Sequence, residues 1–283
     1  MNANINVLGL KLFFTFAFIC GRKKVSLLRS LQISKVMAKK SHEIIYGIHA
    51  VESALRNQSE NVLQVFVQQG RNDNRIKKIL DIAKNSGVSL QSISNDKLKE
   101  KCPKARHQGV VAEIRYSKDN AISLDDILQK DSVLLLILDE VQDPHNIGAC
   151  LRTADAAGVD AVIVSKNRSP ALTPVMRNVA SGAAETVPYI MVSNLARALE
   201  KIKQRNVWVL GTSGDSEQTI YDTSTTERLA LVMGSEGKGM RRLTREACDE
   251  LVSIPMQGSV ESLNISVATA VCLYEIRRKQ NAG

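Results

Sequence analysis

The chain has 283 residues, 44% apolar and 24% charged, which is enough for two domains with cores of their own. Its cysteines (Cys20, Cys102, Cys150, Cys248 and Cys272) are odd in number and lack metal or redox spacing, which argues against a disulfide scaffold and for reduced thiols in a cytoplasmic setting. Residues 1–42 hold eight basic side chains and no acid, so removing those eight from the net charge of +9 leaves about +1 for the rest; a uniformly basic nucleic-acid binder is excluded, and any basic surface must be local.

Residues 7–20 are apolar apart from Lys11 and Thr15. That run is too short to span a membrane easily. The cluster Arg22-Lys23-Lys24 follows the run, whereas a secretory signal carries its charge in front. Residues 1–41 are read as a leader, disordered or untranslated, with Met37 as the working start. An acid-free, basic leader also fits an organelle transit peptide.

From residue 42 the pattern becomes that of a folded chain. Residues 46–55 (YGIHAVESAL) predict a helix, 62–67 a strand, and 74–85 a helix stopped by Gly87. A strand over 88–93, a short helix over 96–101 and a strand over 110–114 follow. Together they predict a small α/β sandwich over residues 42–116. It carries two polar clusters. One is Gly47-Ile48-His49; the other comprises Lys97, Lys99, Lys101, Lys104, Arg106, His107, Gln108 and Gly109. Lys, Arg and His beside a glycine suit RNA phosphates and ribose hydroxyls. A solvated loop and a packed histidine are the plainer alternatives. Residues 116–121 are polar and aperiodic; with a lead-in helix over 123–129 they join the two parts, the connection running over 117–130.

Residues 131–283 alternate strands (133–138, 161–164, 187–191, 207–211, 229–233, 251–254) with helices (147–157, 173–180, 194–204, 241–248, 264–278). Runs such as VLLLIL and LALVM are continuously apolar, as strands covered on both faces should be. The fold class expected is α/β, a mostly parallel sheet with helices on both faces.

Three stretches carry chemistry. Residues 138–158 (LDEVQDPHNIGACLRTADAAG) read as strand, tight turn and helix, with Asn146 at the expected N-cap and Arg152 in the early turns. Such a turn aims backbone N–H groups at an anion or a developing oxyanion. Residues 233–239 (MGSEGKG) follow a buried strand and set three glycines around Glu236. The pattern is not G-x-G-x-x-G, and Lys238 is not followed by Ser or Thr, so neither a nicotinamide cofactor nor ATP is implied. Residues 254–270 (IPMQGSVESLNISVATA) bring Ser262 and Asn264 to the mouth of a helix with small residues.

At these three stretches, and in LTPVMRNVASGAAETVP (172–188), the sequence resembles the SpoU/TrmH family of RNA ribose 2′-O-methyltransferases, over about residues 133–278. YGIHAV and HQGV resemble the ribosomal-protein-like substrate-binding domain of the same family. The pairing is most similar to bacterial members that methylate a guanosine in the peptidyl-transferase P loop of 23S rRNA. Ile265, where Val is usual, and residues 1–36 depart from the pattern. The resemblance implies a deep trefoil knot, S-adenosylmethionine as cofactor, and a homodimer with the active site at its interface. It implies 23S rRNA or a precursor ribosomal subunit as partner, with no metal and no membrane. Gly234, Ile254 and Leu263 match the cofactor loops, and Asn146, Arg152, Glu236, Ser262 and Asn264 match the catalytic set. An arginine keeps its proton in proteins, so Arg152 is read as a stabiliser of the ribose alkoxide rather than a base. Asn146 and Glu236 are expected to orient Arg152, and Ser262 and Asn264 to hold the third loop against the target nucleotide; a purely structural tie is the other role open to Glu236. Alternatives are a tRNA guanosine or drug-resistance rRNA 2′-O-methyltransferase, or an rRNA-binding accessory protein without catalysis.

Overall fold

The computed structural model describes residues 42–103, 107–115 and 122–282. The leader (1–41), Lys104 and Arg106 of the basic cluster, and the stretch 116–121 lie outside these described residues.

The first sheet has four strands: β1 (His42–Tyr46), β2 (Val62–Gln68), β3 (Ser89–Ile93) and β4 (Val110–Arg115), ordered β1-β4-β2-β3. β4 runs antiparallel to β1 and β2, while β2 and β3 run parallel. Helices α1 (Ile48–Asn57) and α2 (Asn74–Asn85) bury Val51, Leu55, Ile76 and Ile79 against one face. Leu98 of α3 (Asn95–Lys101) packs with Phe66 and Val111 on the other. The sandwich is as expected, with one addition. Residues 42–46 form a strand, and the helix begins only at Ile48. A five-residue segment with a polar start gives little period to read, and its pairing partner on β4 lies some seventy residues away. Gly47, at φ 92°, makes the corner between β1 and α1.

The second sheet has six strands, all parallel: β5 (Val133–Asp139), β6 (Ala161–Ser165), β7 (Tyr189–Val192), β8 (Trp208–Thr212), β9 (Arg228–Gly234) and β10 (Glu250–Val252). Their order is β10-β8-β9-β5-β6-β7. Every residue of β5 is buried. Leu134, Leu136 and Leu138 face α5 (Pro144–Ala156), α6 (Pro174–Ala180) and α9 (Ile265–Ala282). Val133, Leu135 and Ile137 face α4 (Leu124–Ile127) and α7 (Leu195–Lys203). Two-sided burial explains the unbroken apolar run: each such side chain contributes about 2 kcal/mol, and neither face tolerates a polar group. A short α8 (Arg242–Glu246) follows β9.

The order of strands positions the site. β10 lies at the sheet edge beyond β8 and β9, yet α9 packs on α5, which follows the central β5. Residues 253–264 therefore recross the C-terminal ends of β8 and β9. In parallel α/β sheets, those ends are where ligands bind.

Candidate active site

The helix of the first stretch starts earlier than its sequence suggests. α5 begins at Pro144, and its N-cap is Asp143, whose carboxylate accepts from the backbone N–H of His145 (3.1 Å) and Asn146 (3.3 Å). Proline's fixed φ suits the first helical position and its missing N–H costs nothing there, so Asp-Pro outcompetes Asn146 as the start. Asn146 is thus in the first turn, with its side chain free for other partners.

Those partners come from the other two stretches. Asn146 Nδ2 donates to Glu236 Oε1 at 3.3 Å, and Asn264 Nδ2 donates to the same oxygen at 2.8 Å. The backbone N–H of Ile265 is the third donor to it, at 3.1 Å. Asn264 Nδ2 also reaches Asn146 Oδ1 at 3.0 Å, while its own Oδ1 accepts from the backbone N–H (3.0 Å) and hydroxyl (2.6 Å) of Ser266. One carboxylate thus sits between the N-termini of α5 and α9, where both helix dipoles favour a negative charge. Three loops, up to 118 residues apart in sequence, are tied at one atom cluster.

Behind this tie lies a cavity of about 660 Å³, lined by Gly234 at the end of β9 and Glu236 just beyond it, by Val252 and Ile254 around the end of β10, and by Ser262 and Leu263. Gly234 is required by close approach: a Cβ there would stand 2.3 Å from the backbone of Gly239 and Met240. Gly214 and Gly237, also in the lining, have no atom within 4 Å of a Cβ position, so the cavity abuts bare backbone on two sides. Met233, Met256, Pro255 and Ala268 add apolar wall. The size and the mixture of apolar side chains with reachable backbone groups suit a nucleoside-sized ligand.

Arg152 stands apart. It lies six residues beyond Asn146 on α5, about 9 Å along the axis and two-thirds of a turn round. It is exposed, and among the described residues it makes no hydrogen bond or ion pair. The expectation that Asn146 and Glu236 orient it is therefore not met within one chain, because helical periodicity turns the two side chains to different faces. Ser262 is likewise exposed, without a hydrogen-bond partner among the described residues.

Two features escaped the reading of the sequence. Asp139, fully buried at the end of β5, accepts from Arg241 Nε (2.8 Å) and from the Arg241 backbone N–H (2.9 Å). This pair clamps the glycine loop to the central strand. The acid preceding the turn and the GMR after the glycines were the only signals. Thr212 at the end of β8 and Ser213 and Gly214 just beyond it also line the cavity; two hydroxyls and a glycine closing an apolar strand could have marked them.

Among the titratable groups, Cys150 on α5 and Cys272 on α9 are buried, and desolvation pushes their thiols up to about 11 and about 12. Burial likewise raises Cys248 to about 12, with the Asp249 charge adding to it. None is a nucleophile near neutrality. In the first lobe, His107 Nδ1 accepts from the Gly109 backbone N–H at 3.0 Å. Burial, with Lys99 and Arg71 nearby, holds its imidazole below the ordinary value, so it turns the loop as a neutral acceptor. His49 is exposed on α1.

The sequence of the second lobe, residues 133–274, matches the SpoU rRNA methylase family, and residues 44–119 match the RNA 2′-O ribose methyltransferase substrate-binding family. The chain belongs to the SpoU rRNA methylase family. It is 53% identical over 243 residues to the 23S rRNA (guanosine-2′-O-)-methyltransferase RlmB of Pasteurella multocida, covering 85% of this chain and 99% of that one. It is 50% identical over 242 residues to the enzyme of the same name from Escherichia coli K12, covering 84% and 99%. Among solved structures, it is similar to an RNA 2′-O ribose methyltransferase (TM-score 0.73, 27% identity, covering 86% of this chain and 90% of the other). The fold is also that of the SpoU methyltransferase AviRb from Streptomyces viridochromogenes in complex with AdoMet (TM-score 0.71, 24% identity, covering 86% and 91%).

Proposed function

We propose that this chain transfers the methyl group of S-adenosylmethionine to the ribose 2′-oxygen of a guanosine in 23S rRNA, and that its target lies in the peptidyl-transferase P loop. The observation that carries this reading is identity of 53% across 99% of a relative with that named activity. The tied residues of all three stretches around one cavity support it. The part formed by residues 42–116 is the RNA-binding domain and residues 131–283 the methyltransferase domain, with 117–130 between them.

Gly234, Ile254 and Leu263 would hold the cofactor, chiefly through backbone groups and apolar contact. When bound, it supplies an activated methyl group on a sulfonium centre. The protein's work is then alignment and charge. The Glu236 cluster fixes the three loops so that the cavity mouth keeps its shape. Arg152, always cationic, stabilises negative charge on the ribose 2′-oxygen, and the proton leaves to water or a phosphate. Ser262, at the mouth and without a hydrogen-bond partner among the described residues, contacts the target nucleotide. The recrossing of residues 253–264 supports the trefoil knot that the family resemblance implies.

The protein acts as a homodimer. α9 exposes Val267 and Tyr274, 49% and 54% accessible and seven residues apart, hence on one stripe. A second copy covering that stripe gives Arg152 of one protomer a route to the cavity of its partner, which accounts for its separation from Glu236. Among the described residues no helix is long and apolar enough to cross a membrane, and no three His, Cys, Asp or Glu side chains are grouped to hold a metal. We assign the enzyme to the cytoplasm on the strength of the proposed rRNA substrate.

The test is incubation of the purified protein with methyl-labelled S-adenosylmethionine and 23S rRNA or tRNA lacking ribose methylation. Label on one 23S guanosine ribose is expected. Label on tRNA alone, or on neither RNA, would overturn the assignment.

A further inference from the structure

The two lobes meet along a polar seam that neither the cavity nor the Glu236 cluster uses. From α1, Ser53 Oγ donates to the Gly182 carbonyl at 2.9 Å, and Gln58 Nε2 donates to the Glu185 carbonyl at 2.8 Å. Both acceptors follow α6 in the second lobe. Beneath them Arg177, 2% exposed, pairs with Glu185, and its guanidinium also lies 3.7 Å from Glu43 on β1. Gly182 has φ 101°, and a Cβ there would fall 2.8 Å from Ser53 Cβ and 3.1 Å from the His49 carbonyl. α1 is therefore seated on bare backbone, with the Ser53 side chain and the His49 carbonyl too near Gly182 for a Cβ to fit there.

The seam also places the RNA-type loop of the first lobe. Gln108 Oε1 accepts from the Ile48 N–H at 3.2 Å, which holds loop 107–109 against the start of α1. Both Gln108 Oε1 and Asn178 Oδ1 of α6 lie within 3.6 Å of the Cβ position of Gly47. α6 in turn packs along α5, which carries Asn146 and Arg152. An unbroken run of packed contacts thus joins the loop of His107, Gln108 and Gly109 to the helix of the candidate site.

We propose that the seam is a ruler: Ser53 and Gln58 are positioning residues that hold the first lobe at one reach from the cavity, and so decide which nucleotide of a bound RNA is presented. This rests on the activity proposed above. A lobe on a free tether would still hold RNA, but it would pay the ordering cost at each encounter and offer several nucleotides to the same site. A docked lobe pays that cost in folding and offers one.

The experiment is the full-length double variant Ser53→Ala/Gln58→Ala, which removes the two bonds across the seam, and with them the one that Ser53 Oγ accepts from Asn57 Nδ2 on the exposed side of α1 (3.2 Å). We expect the KM for 23S rRNA to rise about tenfold, with kcat and S-adenosylmethionine binding unchanged. Methylation should spread to neighbouring riboses, and amide exchange over residues 182–186 should quicken. Unchanged melting and cofactor titration of the double variant exclude misfolding as the cause. A double variant with wild-type KM and a single methylated site would overturn the ruler while leaving the activity standing. A wild type that transfers no methyl to rRNA would overturn the activity and the ruler with it.

Discussion

Asn146 and Arg152 occupy one helix, six residues apart, and the fold uses them in opposite ways. Asn146 is spent inside the chain: its amide joins Glu236 and Asn264 and ties three loops. Arg152 is kept out of that network, exposed and without a partner among the described residues. The contrast separates shape from charge. A tie needs groups that satisfy one another, which leaves little for a substrate. A transition-state stabiliser needs donors that stay uncommitted until substrate arrives. Within the set Asn146, Arg152, Glu236, Ser262 and Asn264, the structure joins Asn146, Glu236 and Asn264 to one another and leaves Arg152 and Ser262 exposed.

That division makes unequal predictions. Arg152→Ala should lower methyl transfer about 10³-fold. Its melting temperature and cofactor affinity should match the wild type, since an exposed, unpaired side chain holds nothing together; a shifted melting temperature would put Arg152 among the ties. Glu236→Ala orphans three donors and should lower the unfolding free energy by about 2 kcal/mol, read from urea midpoints, and weaken cofactor titration. Glu236→Gln keeps Oε1 and should recover most of both; equal loss in the two variants would show that charge at the helix N-termini, not acceptance, is what matters.

The buried thiols of α5 and α9, with Cys248 after α8, add a pH test. The folded-state values of Cys150, Cys248 and Cys272 lie above the ordinary 9.0, at about 11 to about 12. Between pH 9 and those values, the unfolded chain has lost protons that the folded chain keeps. The stability they contribute is thus whole below pH 9 and falls as pH rises, by roughly 1.4 kcal/mol per pH unit for each thiol. Urea midpoints at pH 8 and pH 10 check this, and Cys150→Ala should flatten the slope; equal midpoints would mean that the thiols are wetter than their burial indicates. The smallest effect is at the cap. Asp143→Ala should cost about 1 kcal/mol, whereas Asn146→Ala should leave helix initiation alone and act only through the tie. The reverse result would restore Asn146 as the cap.

Much of this was legible in the residues. β5 is VLLLIL in sequence and wholly buried in the fold, because a parallel strand covered on both faces allows no alternation. The boundaries of α2 coincide with the pattern of Ile76, Ile79 and the stop at Gly87, since amphipathic period and capping are local signals. β1 was not legible: its five residues carry almost no period, and what makes them a strand is β4, far along the chain. The start of α5 was misplaced because two capping residues, Asp143 and Asn146, lay within one turn, and only the proline between them decides.

By itself, the sequence determined the alternation of strands and helices, the two-sided burial of the second sheet, the absence of dinucleotide and ATP signatures, and the family motifs of the three stretches. These are properties of neighbours along the chain. Tertiary structure alone decided that Glu236 Oε1 receives Asn146, Asn264 and Ile265 at once, that Asp139 clamps Arg241, and that Arg152 turns away from all of them. The physical reason is the same in each case. Helical rotation and the recrossing of the strand ends determine which side chains meet, and neither is contained in the spacing of any one segment.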